Sequence, residues 1–306
     1  MNYIRLFFVV ALFFAGADSS MACDICGCNM SGNYGGIYPQ FTKNIVGFRY
    51  GFQRFRHPNT DLNFNGTSRV LRDEFQTYEV WGRFYPHPRI QVFAFIPFKH
   101  HVRYESERAT EISGVGDISV MANYTFFNTA DSTEGKWKHA LLGGAGVKLP
   151  TGKYMARDER GVSLPAQFQM GTGAYTLNLN ANYTLRYGNL GINLDYVFRV
   201  NGENERTYQF GDQQALSGGV FYTITTPKAA FLPNLGISYE HYQRDTEFGT
   251  IKEQTGGELS LINAGLDVYV DRFFLRTFMQ MPIKQNLPLA QPDSDTRINL
   301  GIAYTF

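Results

Sequence analysis

The sequence predicts an all-β fold: a transmembrane antiparallel β-barrel of about twelve strands spanning residues 43–306. Three observations predict it. Short runs after residue 43 alternate apolar with polar or small side chains, the period-two signature of a strand with two unlike faces. The loops between these runs are alternately long and short. The start of the chain reads as an export signal, and no later stretch approaches the ~18 continuous apolar residues of a spanning helix. An exported chain of this kind crosses a bilayer only as a closed barrel, because an open sheet leaves its edges unpaired in lipid.

Residues 1–22 form the predicted secretory signal. Arg5 supplies the positive start, Leu6–Gly16 the apolar stretch, and Ser20-Met21-Ala22 the small-residue cleavage site, leaving Cys23 as the first mature residue. Residues 23–42 form a cysteine-rich segment expected in the periplasm or folded into the lumen as a plug. Among the strands, Asn44–Arg56 sets Val46, Phe48, Tyr50 and Phe52 on one face, with Arg49 and Gln53 on the other. In Tyr175–Arg186, Tyr175, Leu177, Leu179, Ala181, Tyr183 and Leu185 alternate with Thr176, Asn178, Asn180, Asn182, Thr184 and Arg186. A soluble sandwich would bury the first face, whereas a barrel in lipid turns it outward and keeps Asn, Thr and Arg in the lumen. Long loops are expected near 57–72, 105–114, 150–169, 201–212, 244–256 and 284–295. Turns are expected near 86–89, 128–137, 187–189, 226–233 and 271–272.

The closing strand, Arg297–Phe306, repeats the pattern with Ile298, Leu300, Ile302, Tyr304 and Phe306 on one face. It resembles the last strand of bacterial outer-membrane barrels, whose terminal aromatic is read by the assembly machinery. That resemblance assigns the insertion signal to Tyr304 and Phe306 and places the chain in the outer membrane with both termini periplasmic. Partners are then the lipid bilayer, the assembly machinery and a small solute.

Composition fits this reading. Aromatic residues reach 15 % and glycine 31 positions, as girdles and curved strands require. Charged residues are 18 %, below the ~25 % of soluble domains. The net charge of +1 offers no case for a nucleic-acid partner. The inward phase collects Arg49, Arg83, Lys99, Arg103, Lys148, Arg186, Arg199, Arg276 and Arg297 against Glu79, Asp195, Glu240 and Asp267. These thirteen are the expected pore lining, and their positive excess favours anionic solutes or an acidic plug. Trp81, Phe93 and Phe95 share the inward phase and argue against a wide pore.

All three cysteines lie in Cys23-Asp24-Ile25-Cys26-Gly27-Cys28, followed by Met30. Thiolates at this spacing, with a nearby thioether, suit a soft ion such as Cu(I) or Zn(II). A disulfide from Cys23 to Cys26 or Cys28, or lipidation of Cys23, fits the same residues. No Ser, His and carboxylate set is nominated by spacing, so no enzyme activity is expected.

Three elements occur in order: Gly114-Val115-Gly116-Asp117-Ile118-Ser119, Leu149-Pro150-Thr151-Gly152 and Gly171-Thr172-Gly173. Over roughly residues 110–306 the chain thereby resembles the outer-membrane family named for the meta-pathway of phenol degradation. That family is similar, more distantly, to fatty-acid and aromatic-hydrocarbon channels. The resemblance implies passage of small, often apolar molecules and carries over no substrate-binding residue. The readings left open are a solute channel linked to soft-metal handling, an apolar-molecule channel with structural cysteines, and a non-transporting structural or adhesion barrel.

Overall fold

The computed structural model describes residues 43–57, 71–105, 108–129, 136–157, 161, 163–288 and 292–306. The predicted signal, the segment 23–42 and with it Cys23, Cys26, Cys28 and Met30 lie outside the described residues.

Twelve antiparallel strands close into one barrel. They are β1 (Ile45–Arg56), β2 (Leu71–His87), β3 (Ile90–Glu105), β4 in two pieces (Arg108–Val115 and Ser119–Asn128), β5 (Trp137–Lys148) and β6 (Thr176–Tyr187). The ring continues with β7 (Leu190–Asn201), β8 (Gln213–Tyr222), β9 (Ala229–Tyr242), β10 (Gly257–Val270), β11 (Phe273–Asn286) and β12 (Asp293–Thr305). Each strand pairs with its neighbours in sequence, and β1 pairs with β12 from Ile45↔Thr305 to Arg56↔Asp293. Closure satisfies both edges, which is the condition for strands in hydrocarbon.

The phase rule fixes the two surfaces. Val46, Phe48, Val80, Ile96, Leu177, Leu194, Leu216, Ile237, Leu275 and Ile302 are exposed on the outer wall. Their strand neighbours Trp81, Phe93, Phe95, Thr176, Asn193, Glu240, Asp267 and Arg297 are buried. An apolar outside around a partly polar inside is stable in lipid and unstable in water.

Two expected loops are shorter than their composition suggests. The stretch 105–114 is mostly strand, with Glu105↔Arg108 opening the first piece of β4 against β3. It carries Glu111 and Ser113 and no long apolar face, because this hairpin stands at the loop end of the barrel. The expected turn 226–233 narrows to the residues before Ala229, and Pro233 lies within β9 opposite Leu266. A small second sheet, Tyr208–Gln209, Thr246–Glu247 and Thr250–Ile251, covers part of the loop end. There Asp245 accepts from the Tyr208 hydroxyl and, at 2.7 Å, from the Gly211 N–H.

The lumen is filled in layers. Near the turns and the last residue, Ile45, Trp81, Phe93, Phe95, Met121, Phe274 and Ala303 pack together. At the loop end, Phe55, Phe75, Phe168, Ala215, Tyr242, Leu259 and Leu261 form a second apolar layer. The functional question concerns the polar space between them.

Candidate functional site

The first thing in that space is a strap. After β5 the chain does not run straight out to solvent. It enters the lumen and leaves again into β6 at Thr176, and its tip is a short 3-10 turn, Ala166–Phe168. The stem of the strap is tied to the break in β4. Thr151 Oγ1 donates to the Gly116 carbonyl at 2.9 Å and accepts from the Ile118 N–H at 2.9 Å. Asp117 accepts from the Gly152 N–H at 2.9 Å through one oxygen. Its other oxygen accepts from the Thr172 N–H and hydroxyl, both at 2.8 Å. Lys148 Nζ lies 3.8 Å from that oxygen. One buried carboxylate thus clasps both legs of the strap, with charge-assisted bonds of the stronger kind.

The glycines of the stem are there for room. A Cβ on Gly171 would come within 2.4 Å of Asp117 Oδ1 and 2.5 Å of the Gly152 carbonyl oxygen. The three short sequence elements that carry the family resemblance therefore meet in one clasp. Spacing in the chain gave no sign of this, because Asp117 is separated from Thr172 by most of two strands and the strap.

The tip is held by Phe168, which is fully buried. Its ring meets Phe75 edge-on at 5.8 Å, lies 5.6 Å from the His101 ring and sits under the Arg103 guanidinium at 5.0 Å. Its carbonyl oxygen is 3.2 Å from His101 Nδ1. Gln169 braces the strap internally, accepting from the Ala156 N–H at 2.6 Å and donating to the Leu164 carbonyl at 2.9 Å.

Below the strap lies a cavity of about 150 Å³. Six of the predicted lining residues border it: Arg49, Glu79, Lys99, Lys148, Arg199 and Arg297. Asp117 and Thr172 of the glycine-bearing elements, Asn178 of the polar face of β6 and Asn299 of the closing strand border it too, as do Thr77, Pro97 and Gln169. Arg49 pairs with Glu79, and Arg297 donates to both oxygens of Glu240 at 3.0 and 2.9 Å. Glu240 and Arg297 are both essentially buried, so each needs the other.

The remaining predicted residues sit elsewhere in the interior. Arg103 grips Asp73 with two bonds, at 2.7 and 2.6 Å, in the loop-end layer. Arg83 is buried near the turns and donates to the Lys43 carbonyl at 3.4 Å. Arg276 binds Asp267 in a fork, at 2.8 and 2.7 Å. Asp195 accepts from the Asn182 amide, and Arg186 stands on the interior face of β6 opposite Gly191. Ser238, Asn263 and Gln280 form a hydrogen-bonded row beside them. Asp267, Arg276, Asp195, Arg186 and this row do not border the cavity. Counting Glu240 with the cavity's own acids, Glu79 and Asp117, its five bases leave two positive charges in excess. Among the described residues no cluster of three or more His, Cys, Asp or Glu side chains is placed to hold a metal ion.

At the far end, Phe306 is exposed and donates its N–H to the Asn44 carbonyl at 3.0 Å, while Tyr304 stacks on it at 6.5 Å.

No protein-family profile matches the chain, and no curated protein does. Among solved structures, the COG4313 outer membrane channel from Pseudomonas putida F1 superposes with a TM-score of 0.65. The identity is 14 %, over 90 % of this chain and 99 % of that one. The chain has the fold of an outer-membrane channel. More remote barrels include the KdgM porin, at TM-score 0.40 and 10 % identity over 86 % of this chain and 99 % of the porin. A Pseudomonas aeruginosa FadL homologue matches at TM-score 0.36 and 9 % identity, over 86 % of this chain and 90 % of that one.

Proposed function

We propose that the chain is an outer-membrane channel for small solutes, closed by its strap, that admits anions ahead of cations. Its central observation is the cavity between two apolar layers, lined by Arg49, Lys99, Lys148, Arg199 and Arg297 against Glu79 and Asp117. Positive lining in a low-dielectric wall raises the local concentration of anions and repels cations. The strap blocks the loop end, so passage requires its tip to leave the Phe75, His101 and Arg103 pocket. Both termini face the periplasm in this reading, and Phe306 serves the assembly machinery, as the closing strand suggests. The channel carries solute without transforming it.

The expected soft-metal role of Cys23, Cys26, Cys28 and Met30 is a separate part of the proposal and rests on their spacing alone. Purified protein in liposomes tests the passage reading. Osmotic swelling in small-solute gradients is the expected result, and vesicles that stay tight to every small solute would refute it.

A further inference from the structure

Lys99 differs from the other cations whose partners are defined. Arg49 has Glu79, Lys148 has Asp117, Arg297 has Glu240, Arg103 has Asp73 and Arg276 has Asp267. Among the described residues Lys99 forms no hydrogen bond and no ion pair, yet it lines the cavity. Its stem passes close to the β4 break, where a Cβ on Gly116 would lie 3.0 Å from Lys99 Cε and 3.1 Å from Pro97 Cγ.

The register places one polar row across the wall at this height. Lys99 is opposite Thr77, Thr77 opposite Gly51, and Gly51 opposite Asn299. An ammonium, a hydroxyl and an amide thus border the same cavity, with a glycine between the last two leaving space. Phe75, Phe95, Pro97 and Met121 give this part of the cavity an apolar share, beside the Arg49–Glu79 pair, Gln53 and Arg297. A volume of about 150 Å³ has room for a single benzene-sized ring.

We propose that the cavity is a binding site for one small organic monoanion: a carboxylate received by Lys99, carried on an apolar body no larger than a single ring. The Lys99 ammonium meets no carboxylate, and the Thr77 hydroxyl on the neighbouring strand supplies a donor for the second carboxylate oxygen. This inference rests on the reading of the lumen as an anion path and gives that path its substrate class and its selecting residue.

Titration calorimetry on the detergent-solubilised full chain tests it, with benzoate, the neutral near-isostere benzamide, and acetate as probes. Benzoate is expected to bind saturably at one site per chain. Benzamide, acetate and the Lys99→Gln variant with benzoate should each bind at least about tenfold more weakly, the scale of one lost charge-assisted contact or of an unfilled apolar wall. Lys99→Arg, and Arg186→Gln as an interior cation outside the cavity, should stay within about threefold of the unaltered chain. Absent benzoate binding, equal binding by benzamide or acetate, unchanged binding in Lys99→Gln, or an equal loss in Arg186→Gln would overturn the proposal. Ion selectivity in bilayers separates the two readings. Anion-selective current without a benzoate site overturns this inference and leaves the anion path standing. A Lys99-dependent benzoate site in a barrel without anion preference does the reverse.

Discussion

Truncating Phe168 to alanine removes the tip of the strap and nothing from the barrel wall. The ring is fully buried among Phe75, His101 and Arg103, in a layer that also takes side chains from β8, β9 and β10 across the lumen. Phe→Ala in a packed interior costs about 3–5 kcal/mol, part of it from the cavity left behind. The edge-on contact with Phe75 and the cation–π contact with Arg103 are included in that sum. If the whole loss fell on the equilibrium between strap in and strap out, the out population would rise by about two to four decades, at 1.4 kcal/mol per decade. The Asp117 clasp still holds the stem, so this is an upper limit. Two assays read the change. Protease added from the loop side should cut within 153–171 far faster in Phe168→Ala, and the mean current per inserted channel in planar bilayers should rise. Phe168→Leu, which keeps most of the buried volume, should move both readouts less. Unchanged cleavage and unchanged current in Phe168→Ala would refute the idea that the tip closes the lumen.

The clasp gives a second prediction: Gly171→Ala forces Asp117 and Gly152 apart and should cost about 1–3 kcal/mol, seen as a lower unfolding midpoint in detergent and faster cleavage of the strap. Arg276→Ala leaves the Asp267 carboxylate buried without its fork and should destabilise the barrel by about 3–5 kcal/mol, measured by urea unfolding in micelles. An Arg276→Ala barrel as stable as the parent would contradict the assignment. For the cysteine segment, the mature protein under reducing conditions should bind about one Cu(I) or Zn(II) and lose it when Cys23, Cys26 and Cys28 become Ser. Metal analysis finding no ion on the parent protein would remove the soft-metal role.

The wall of the barrel was legible in the sequence because lipid and lumen impose opposite demands on alternate residues. Ile298, Leu300 and Ile302 face out while Arg297 is buried, as the period of two requires. Where neither solvent imposes a face, the reading failed. The first piece of β4, Arg108–Val115, has no apolar stripe and reads as a loop until its pairing with β3 is known. The strap was invisible for a related reason. Residues 150–169 look like any polar outer loop, since length and composition do not say whether a loop turns outward or inward. Phe168 and Met170 in a loop otherwise free of apolar periodicity were the available signal, together with the two glycines at its stem. The interior charges were legible as a set, but not their pairing. That Arg49 meets Glu79 while Lys99 meets no carboxylate depends on register and on side-chain reach across the lumen.

The central claim is that the lumen is an anion path closed by the strap. Its most direct test is the reversal potential of the Phe168→Ala barrel in a planar bilayer held across a potassium chloride gradient. A measurable current is expected, with a reversal potential of the sign of chloride permeation that shifts toward zero when Lys99 is changed to Gln. A barrel that reverses with the sign of potassium, or one that carries no current even without Phe168, would contradict it.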